Sequence, residues 1–481
     1  MAQVPFKAKT PLRLRIEEVD ESKNIVATYI ASAPNDDWKT SRIDVVVPKN
    51  TNSYARSILN AFLPAGYPHS VTKDYLEYQI YDSLQAFSSS IAGLLSSRAV
   101  LEGIGVGDSH ASPTAALLLS VLQESMGRIA TILFAHRLGT SLEPECKMYR
   151  LAADIFNDSA MILDCFSPAL PKASRVVLLS LSSVLRSLCG VAAGSSKASL
   201  SAHFATQGNL GELNAKDSSQ ETIISLLGML VGSLVVSHIS SKWATWSAMI
   251  ALLAIHLGTN YLAVRAVSMR TLNRQRANIV SSNILETVYQ KIHAAKEESP
   301  SDTELRSIRI PSPEEVSVQE KVFEKDGVLR WKGGKPLGFC RIGVDVRTIL
   351  NIFGKPNRSS GSYSEDQSVK FAKLLDIYKY DDYIMWYDEP RKTFLIVLKD
   401  TARTTTHLQA WIHALYYAEA SKLGRLQDEE TVLDALASTE TYVAKVLDRF
   451  AVFEELQKAG WDIETGAMET KSGTRIKLKN L

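Results

Sequence analysis

Residues 222–238, TIISLLGMLVGSLVVSH, contain no Asp, Glu, Lys or Arg. Residues 244–264, ATWSAMIALLAIHLGTNYLAV, are free of the same four residue types. An α-helix rises about 1.5 Å per residue, so either stretch has roughly the length of the apolar core of a bilayer. These two stretches are the best candidates in the chain for membrane-spanning helices.

The charge-poor region extends well beyond these two stretches. Residues 79–269 hold 24 charged residues in 191 positions, whereas the other 290 positions hold 82. A surface helix of a soluble protein normally carries a broad face of Lys and Glu. The middle of the chain therefore has the composition of a bundle in a membrane, although a large soluble helical core would also bury charge-poor helices.

The overall composition excludes several classes of protein. A length of 481 residues suggests two or three domains, and a net charge of +2 gives no electrostatic case for nucleic-acid binding. The four cysteines lack metal-ligand spacing, so we predict no metal site and no cofactor. The first 20 residues lack the apolar core of a secretory signal, which predicts a protein that is not secreted.

The pattern of apolar runs and breakers predicts a mainly α fold. We expect a charge-poor, membrane-embedded bundle of about six helices, with a small N-terminal β unit and a C-terminal soluble α+β domain. The predicted helices lie at about residues 79–102, 113–138, 146–166, 173–195, 218–240 and 243–269, and residues 270–293 are expected to extend the last one. The predicted parts are residues 1–50 (β unit), 51–293 (bundle), 294–320 (linker) and 321–481 (C-terminal domain).

Narrow stripes of polar or small residues run along the predicted helices at 100° per residue. Charges inside a membrane are costly and normally face the bundle interior, so converging stripes would form one polar cavity. The candidate cavity or ligand residues are Asp82, Gln85, Glu124, Arg128, Arg150, Asp154, Asn157, Asp158, Lys216, Asp217, Glu221 and Asn260.

Some of these residues have a structural interpretation as well. Asp217 and Glu221 could bind a cation or relay protons, or they could cap the helix expected to begin near residue 218. Glu124 and Arg128 are spaced to form an ion pair, which we expect to be buried. The glycine-rich residues 103–108 are expected to form a tight turn rather than a phosphate site.

Small residues also predict a close helix contact. Gly228 and Gly232 have the G-x-x-x-G spacing that lets two helices approach each other in lipid.

His203 and His256 stand apart from other candidate ligands, and the sequence contains neither H-E-x-x-H nor G-x-S-x-G. We therefore predict that the protein is not an enzyme.

Several motifs in the same order resemble the root UV-B sensitive (RUS) family. They cover about residues 50–280, and NAKDSSQET is the strongest match. The motifs are GYPHSV at 66–71, DYL at 74–76, GIGVGD at 103–108, NAKDSSQET at 214–222, HLGTNY at 256–261 and LNRQRA at 272–277.

The resemblance implies a eukaryotic, membrane-associated protein, often of an organelle. Plant members of the family are tied to early seedling development, light response, auxin transport and vitamin B6 homeostasis. The family transfers no reaction and no ligand. Lys197 as a pyridoxal-bearing lysine is disfavoured, because it lies in a helical bundle without the sheet and loops of such sites.

Two classes of function follow from these observations. The first is a transporter-like or small-molecule-handling bundle with a polar cavity between its helices. The alternative is a non-catalytic membrane scaffold that recruits partners through its C-terminal domain. The expected partners are membrane lipid, a small polar solute, and another protein or a second copy of the chain. We expect the protein in the membrane of an intracellular organelle.

Overall fold

The structure is a computed structural model. It describes residues 12–19, 25–33, 42–46, 62–104, 113–239, 241–297, 308–357, 361–426 and 431–478. Most of the predicted turn at residues 103–108 lies outside these ranges.

The predicted N-terminal β unit is a three-stranded antiparallel sheet in the order β1-β2-β3. Its register places Ala31 of the central strand between Leu14 on one side and Ile43 on the other. The strands are β1 (Leu12–Val19), β2 (Ile25–Ala33) and β3 (Arg42–Val46).

A helical bundle follows, and all six predicted helices are present in it. Helix α1 packs against α3, α5 and α6, and α4 packs against α2 and α3. The six helices are α1 (Tyr75–Ile104), α2 (Pro113–Leu142), α3 (Cys146–Phe166), α4 (Lys172–Phe204), α5 (Leu210–His238) and α6 (Lys242–Ala266).

Three predicted helix boundaries are wrong, and the first is the end of α4, which lies at Phe204 and not near residue 195. Helix α5 begins at Leu210, with Asn209 as its N-cap, so Asp217 and Glu221 lie inside the helix and do not cap it. The polar residues before Thr222 face Lys197 and Gln79 of neighbouring helices, so they do not mark a helix end. The sixth helix ends at Ala266, and the polar helix expected to extend it is a separate element.

Four helices of the described chain are long and apolar enough to cross a membrane. At most a third of the residues in each apolar window are buried, and side chains such as Leu118, Ile132 and Leu230 are more than half exposed. These apolar faces therefore point away from the bundle. The four segments are Leu117–Leu142, Lys172–Phe204, Leu210–His238 and Lys242–Ala266.

The C-terminal part is an α+β unit built on a mixed sheet. The strand order is β4-β5-β7-β6, and β8 pairs in parallel with β7. Its strands are β4 (Val328–Arg330), β5 (Pro336–Ile342), β6 (Tyr383–Asp388), β7 (Thr393–Lys399) and β8 (Arg475–Ile476). Its helices are α7 (Arg274–Glu297), α8 (Pro313–Gln319), α9 (Val346–Phe353), α10 (Glu365–Ile377), α11 (Thr404–Lys422), α12 (Val432–Arg449) and α13 (Val452–Lys458).

Helix α7 belongs to the hydrophobic core of this α+β unit. Ile284 and Val288 of α7 are buried in the same cluster as Trp411 of α11. Val316, inside the segment predicted as a linker, is fully buried in that cluster too. The predicted domain boundaries remain a prediction, but α7 and α8 connect the bundle to the C-terminal unit through packed residues.

The G-x-x-x-G spacing forms a close contact between α5 and α1. A Cβ atom added to Gly228 would lie 2.7 Å from the Cβ of Ser90 and 2.9 Å from the carbonyl oxygen of Phe87. A Cβ atom added to Gly232 would likewise lie 2.7 Å from Leu94 Cδ1. Because backbone atoms cannot move aside as a flexible side chain can, only glycine fits at residue 228.

We predict opposite effects for two glycine substitutions. Gly228→Ala should lower the free energy of unfolding by about 1–3 kcal/mol, because the added methyl group overlaps α1. Gly194→Ala on α4 should stabilise by about 0.5–1 kcal/mol, since nothing lies within 4 Å of the added carbon and alanine favours helix. Thermal unfolding of the full-length protein in detergent measures both. A stabilising Gly228→Ala would contradict this packing.

Candidate functional site

The guanidinium group of Arg150 joins two helices inside the bundle. Arg150 lies on α3 and is 8% exposed. Its Nη2 donates to Asp82 Oδ1 at 2.6 Å and to Gln85 Oε1 at 2.7 Å, both on α1. Its Nη1 donates to Asp154 Oδ1 at 3.1 Å, one turn further along α3. Charge-assisted bonds of this kind offset the cost of burying a guanidinium group.

Helix α6 adds two fully buried side chains to the same group of residues. His256 Nδ1 lies 2.7 Å from Asp158 Oδ1, and His256 Nε2 lies 3.1 Å from Gln85 Nε2. The amide nitrogen of Asn260 donates to Asp154 Oδ2. Three helices therefore meet in one hydrogen-bonded cluster, which we name the Arg150–His256 network. Its members are Asp82, Gln85, Arg150, Asp154, Asp158, His256 and Asn260.

The neighbours of His256 assign donor and acceptor roles to its two ring nitrogens. Gln85 Oε1 accepts from Arg150, so the amide nitrogen of Gln85 faces His256 and donates to Nε2. The proton of the imidazole then lies on Nδ1 and is donated to Asp158. In this arrangement Nδ1 of His256 donates and Nε2 accepts a hydrogen bond.

The Arg150–His256 network carries more negative than positive charge. It contains three carboxylates and one guanidinium group, whose formal charges sum to −2 when all three carboxylates are ionised. Two of its buried oxygens, Asp158 Oδ2 and Asn260 Oδ1, have no hydrogen-bond donor among the described residues. Uncompensated buried charge is unfavourable. The network can therefore accept a proton.

Six predicted site residues belong to this network: Asp82, Gln85, Arg150, Asp154, Asp158 and Asn260. Asn157, a seventh predicted residue, lies beside it, and its amide nitrogen is 3.4 Å from Ser89 Oγ on α1. Most polar atoms of the network bond to other members of the network rather than to groups outside it.

Glu124 and Arg128 do not reach the interior. They form the predicted ion pair at 3.5 Å, but their side chains are 71% and 80% exposed, so the prediction of a buried pair is wrong. The reason is that α2 meets α4 through the buried Gly127, which lies against Ser183 and Ser187. The pair lies to one side of this contact.

A second cluster surrounds Lys197 of α4. Its ammonium group lies 2.7 Å from Asp217 Oδ2 and 2.7 Å from Glu221 Oε2, both on α5. Asp217 Oδ1 accepts from Gln79 Nε2 at 2.9 Å, which ties the cluster to α1. The cavity beside it measures about 10 Å³, room for no more than one water molecule. Lys216, another predicted site residue, lies next to Asp217 on α5 and is half-buried.

Sequence reasoning missed His256 and Lys197. His256 lies one helical turn before Asn260 on an otherwise apolar helix, so the two share a face. This shared face with Asn260 is the feature of the sequence that indicates His256 as a site residue. Nothing in the sequence pairs Lys197 with Asp217, which lies 20 residues further on in another helix.

Ionic contacts also fix the C-terminal unit to the bundle. Glu320 is buried between Lys147, at 2.5 Å, and Arg276, at 2.7 Å. Burial alone would raise the pKa of Glu320, but the two cations hold it below its ordinary value. At the same junction, burial raises the pKa of Glu145 to about 7, although Arg276 opposes the shift.

Comparison with known proteins assigns the chain to a family. Residues 48–288, which include α1–α6, match the family model described as the vitamin B6 photo-protection and homoeostasis domain. The chain is 31% identical over 418 residues to protein root UVB sensitive 3 of Arabidopsis thaliana, covering 86% of this chain and 84% of that protein. The chain belongs to the root UVB sensitive (RUS) family.

Other relatives of this RUS protein differ in length and in the compartment their names give. RUS family member 1 of Dictyostelium discoideum is 36% identical over 367 residues, and the match spans 75% of this chain but 64% of that relative. Protein root UVB sensitive 2, chloroplastic, of Arabidopsis thaliana is 25% identical over 408 residues, covering 84% of this chain and 82% of that protein. No solved structure matches this RUS chain.

We predict that Arg150→Gln destabilises this RUS protein by about 3–5 kcal/mol, because it leaves the buried carboxylates of Asp82 and Asp154 without their cation. Arg309→Gln is the matched control. It removes the cation of an exposed ion pair with Glu315, outside the apolar helices, and should change stability by no more than about 0.5 kcal/mol. Thermal unfolding of the purified protein in detergent measures the difference, and equal losses in the two variants would contradict the central place of Arg150.

Proposed function

We propose that α1–α6 form a membrane-embedded bundle that moves a small polar solute together with a proton held by the Arg150–His256 network. The observation that carries the proposal is the excess of buried negative charge at that network. The protein is then transporter-like, and its action includes no catalysed reaction.

The outward faces of the helices support the membrane part of the proposal. The segments named above as long enough to cross a bilayer expose leucine, isoleucine and valine on their outer faces. Soluble proteins rarely expose continuous apolar patches of this size, whereas lipid would cover them at no cost. The charged side chains of the network, by contrast, are turned inward, as intramembrane ionisable residues normally are.

The geometry around Gln85 supports coupling between proton uptake and a change of arrangement. Protonated His256 would carry a hydrogen on Nε2, which cannot face the Gln85 amide nitrogen. The nearest alternative acceptor is Asp154 Oδ2, at 3.5 Å. Because Gln85 also accepts from Arg150, losing its contact with His256 would disturb the bonds between α1 and α3. One proton could thus favour a second packing of three helices.

The family supplies the first solute to test. Its model is described in terms of vitamin B6 homoeostasis, so vitamin B6 is the small polar solute with the strongest claim. In this conformation most polar atoms of the network bond to one another. Movement of a solute therefore requires the second packing.

A scaffold function remains the second candidate. The C-terminal unit has a large core of its own and is held to the bundle by Glu320, Lys147 and Arg276. That rigid attachment suits a protein that presents a folded surface at a membrane. A scaffold would not need titratable residues in the bundle.

The test uses purified protein in sealed proteoliposomes. We expect uptake of labelled vitamin B6 to increase when a pH gradient is imposed. Asp158→Asn and His256→Gln should reduce this stimulated uptake at least about tenfold, because each removes a group that holds the proton. Glu124→Gln is the control, since it neutralises an exposed carboxylate, and should retain full uptake.

Each variant is scored together with its abundance in the membrane. Uptake by Asp158→Asn and His256→Gln equal to that of the unmodified protein, at equal abundance, would overturn the proton-coupled site. Absence of uptake by every form, combined with normal folding, would favour the scaffold.

A further inference from the structure

A cavity of about 270 Å³ lies in the C-terminal unit, away from the residues of the Arg150–His256 network. Elements distant in sequence form its walls: α7, the residue after β4, the end of α11 with the residues that follow it, and the second half of α12. Four aromatic side chains line it: Tyr289, Trp331, Tyr416 and Tyr442.

The rings are held in fixed positions. Tyr416 and Tyr442 stack with their centroids 4.4 Å apart and their planes 12° from parallel. The indole nitrogen of Trp331 donates to Glu286 Oε2 at 3.2 Å. The polar edge of Trp331 is therefore engaged, and its ring is held beside the cavity.

Acidic side chains lie among these rings. Glu286 and Glu419 both line the cavity. Glu419 is 7% exposed, and its Oε2 accepts no hydrogen bond from the described residues, with only the Lys422 ammonium 3.5 Å away. A buried carboxylate oxygen without a hydrogen bond is costly unless a cation approaches it.

The chain already places one cation against this wall. The guanidinium carbon of Arg425 lies 4.1 Å from the centroid of the Tyr289 ring. Aromatic faces attract cations through the ring quadrupole, and the attraction strengthens when the cation is desolvated. With Arg425 turned away, the lining would keep the carboxylates of Glu286 and Glu419, while their lysine partners, Lys332 at 3.6 Å and Lys422 at 3.5 Å, lie outside it.

We propose that this cavity binds a quaternary ammonium group. Such a group has a positive charge and an apolar surface, which match the carboxylates and the rings. It donates no hydrogen bond, so it loses little on leaving water. Its source is either a free small molecule or the choline headgroup of a lipid. The site is independent of the transport proposed for the bundle, and Arg425 competes for it.

The test measures binding of tetramethylammonium by calorimetry to the full-length protein in a maltoside detergent, with ammonium as the equally charged control. Tetramethylammonium should bind and ammonium should not. Trp331→Leu and Tyr442→Leu should each weaken binding about tenfold, whereas the phenylalanine variants at both positions keep the ring and should stay within about twofold. Tyr380→Leu, which removes an exposed ring elsewhere, should have no effect.

Two further variants keep the test decisive if a leucine variant misfolds. Glu419→Gln preserves volume and should weaken binding, and Arg425→Ala should strengthen it. Equal binding of ammonium and tetramethylammonium, or unchanged binding in both Glu419→Gln and Trp331→Leu, would overturn the site.

Two further experiments distinguish a free molecule from a lipid headgroup as the source of the quaternary ammonium group. Choline added to the detergent-solubilised protein tests the free molecule. Nanodiscs of phosphatidylcholine, compared with nanodiscs of phosphatidylglycerol, test the lipid. A free-molecule site binds choline equally in both nanodiscs, whereas a lipid site is already occupied in phosphatidylcholine and binds less. Failure of choline in every arm, with tetramethylammonium also inactive, would overturn the proposal.

Discussion

A buried guanidinium group must have its donors satisfied, and this constraint on Arg150 organises the bundle. Its partners come from α1 and from α3 itself, and Asp154, which it shares with Asn260, brings in α6. Moving any of the three helices would leave a charged group unpaired in a dry interior, which costs several kcal/mol. The helices therefore turn their charged faces toward one another, and their apolar faces are left on the outside.

The same rule operates at the junction with the C-terminal unit. Glu320 is buried, and it is stable there because Lys147 of the bundle and Arg276 of α7 both contact it. The junction is thus specified by charge, while α7 is held by hydrophobic packing against the C-terminal core. The two parts of the protein are connected through an element that belongs physically to the second.

The sequence predicted the helices well because long apolar runs between glycines and prolines have few other solutions. It also predicted the contact at Gly228, since small residues at that spacing permit close packing. It failed at Glu124 and Arg128 because helical periodicity shows which residues share a face but not which face meets a neighbour. The partnership of His256 with Asp158 and the aromatic cavity join distant segments, and only the folded chain brings those residues together.

The central claim is that the charge-poor bundle is embedded in a membrane around an ionic interior. The most direct measurement is alkaline carbonate extraction of membranes from cells that express the full-length protein. Peripheral proteins are released by this treatment, whereas a bundle with lipid-covered helices is retained. A membrane-embedded protein stays in the membrane pellet. Release of the protein into the supernatant would contradict membrane embedding.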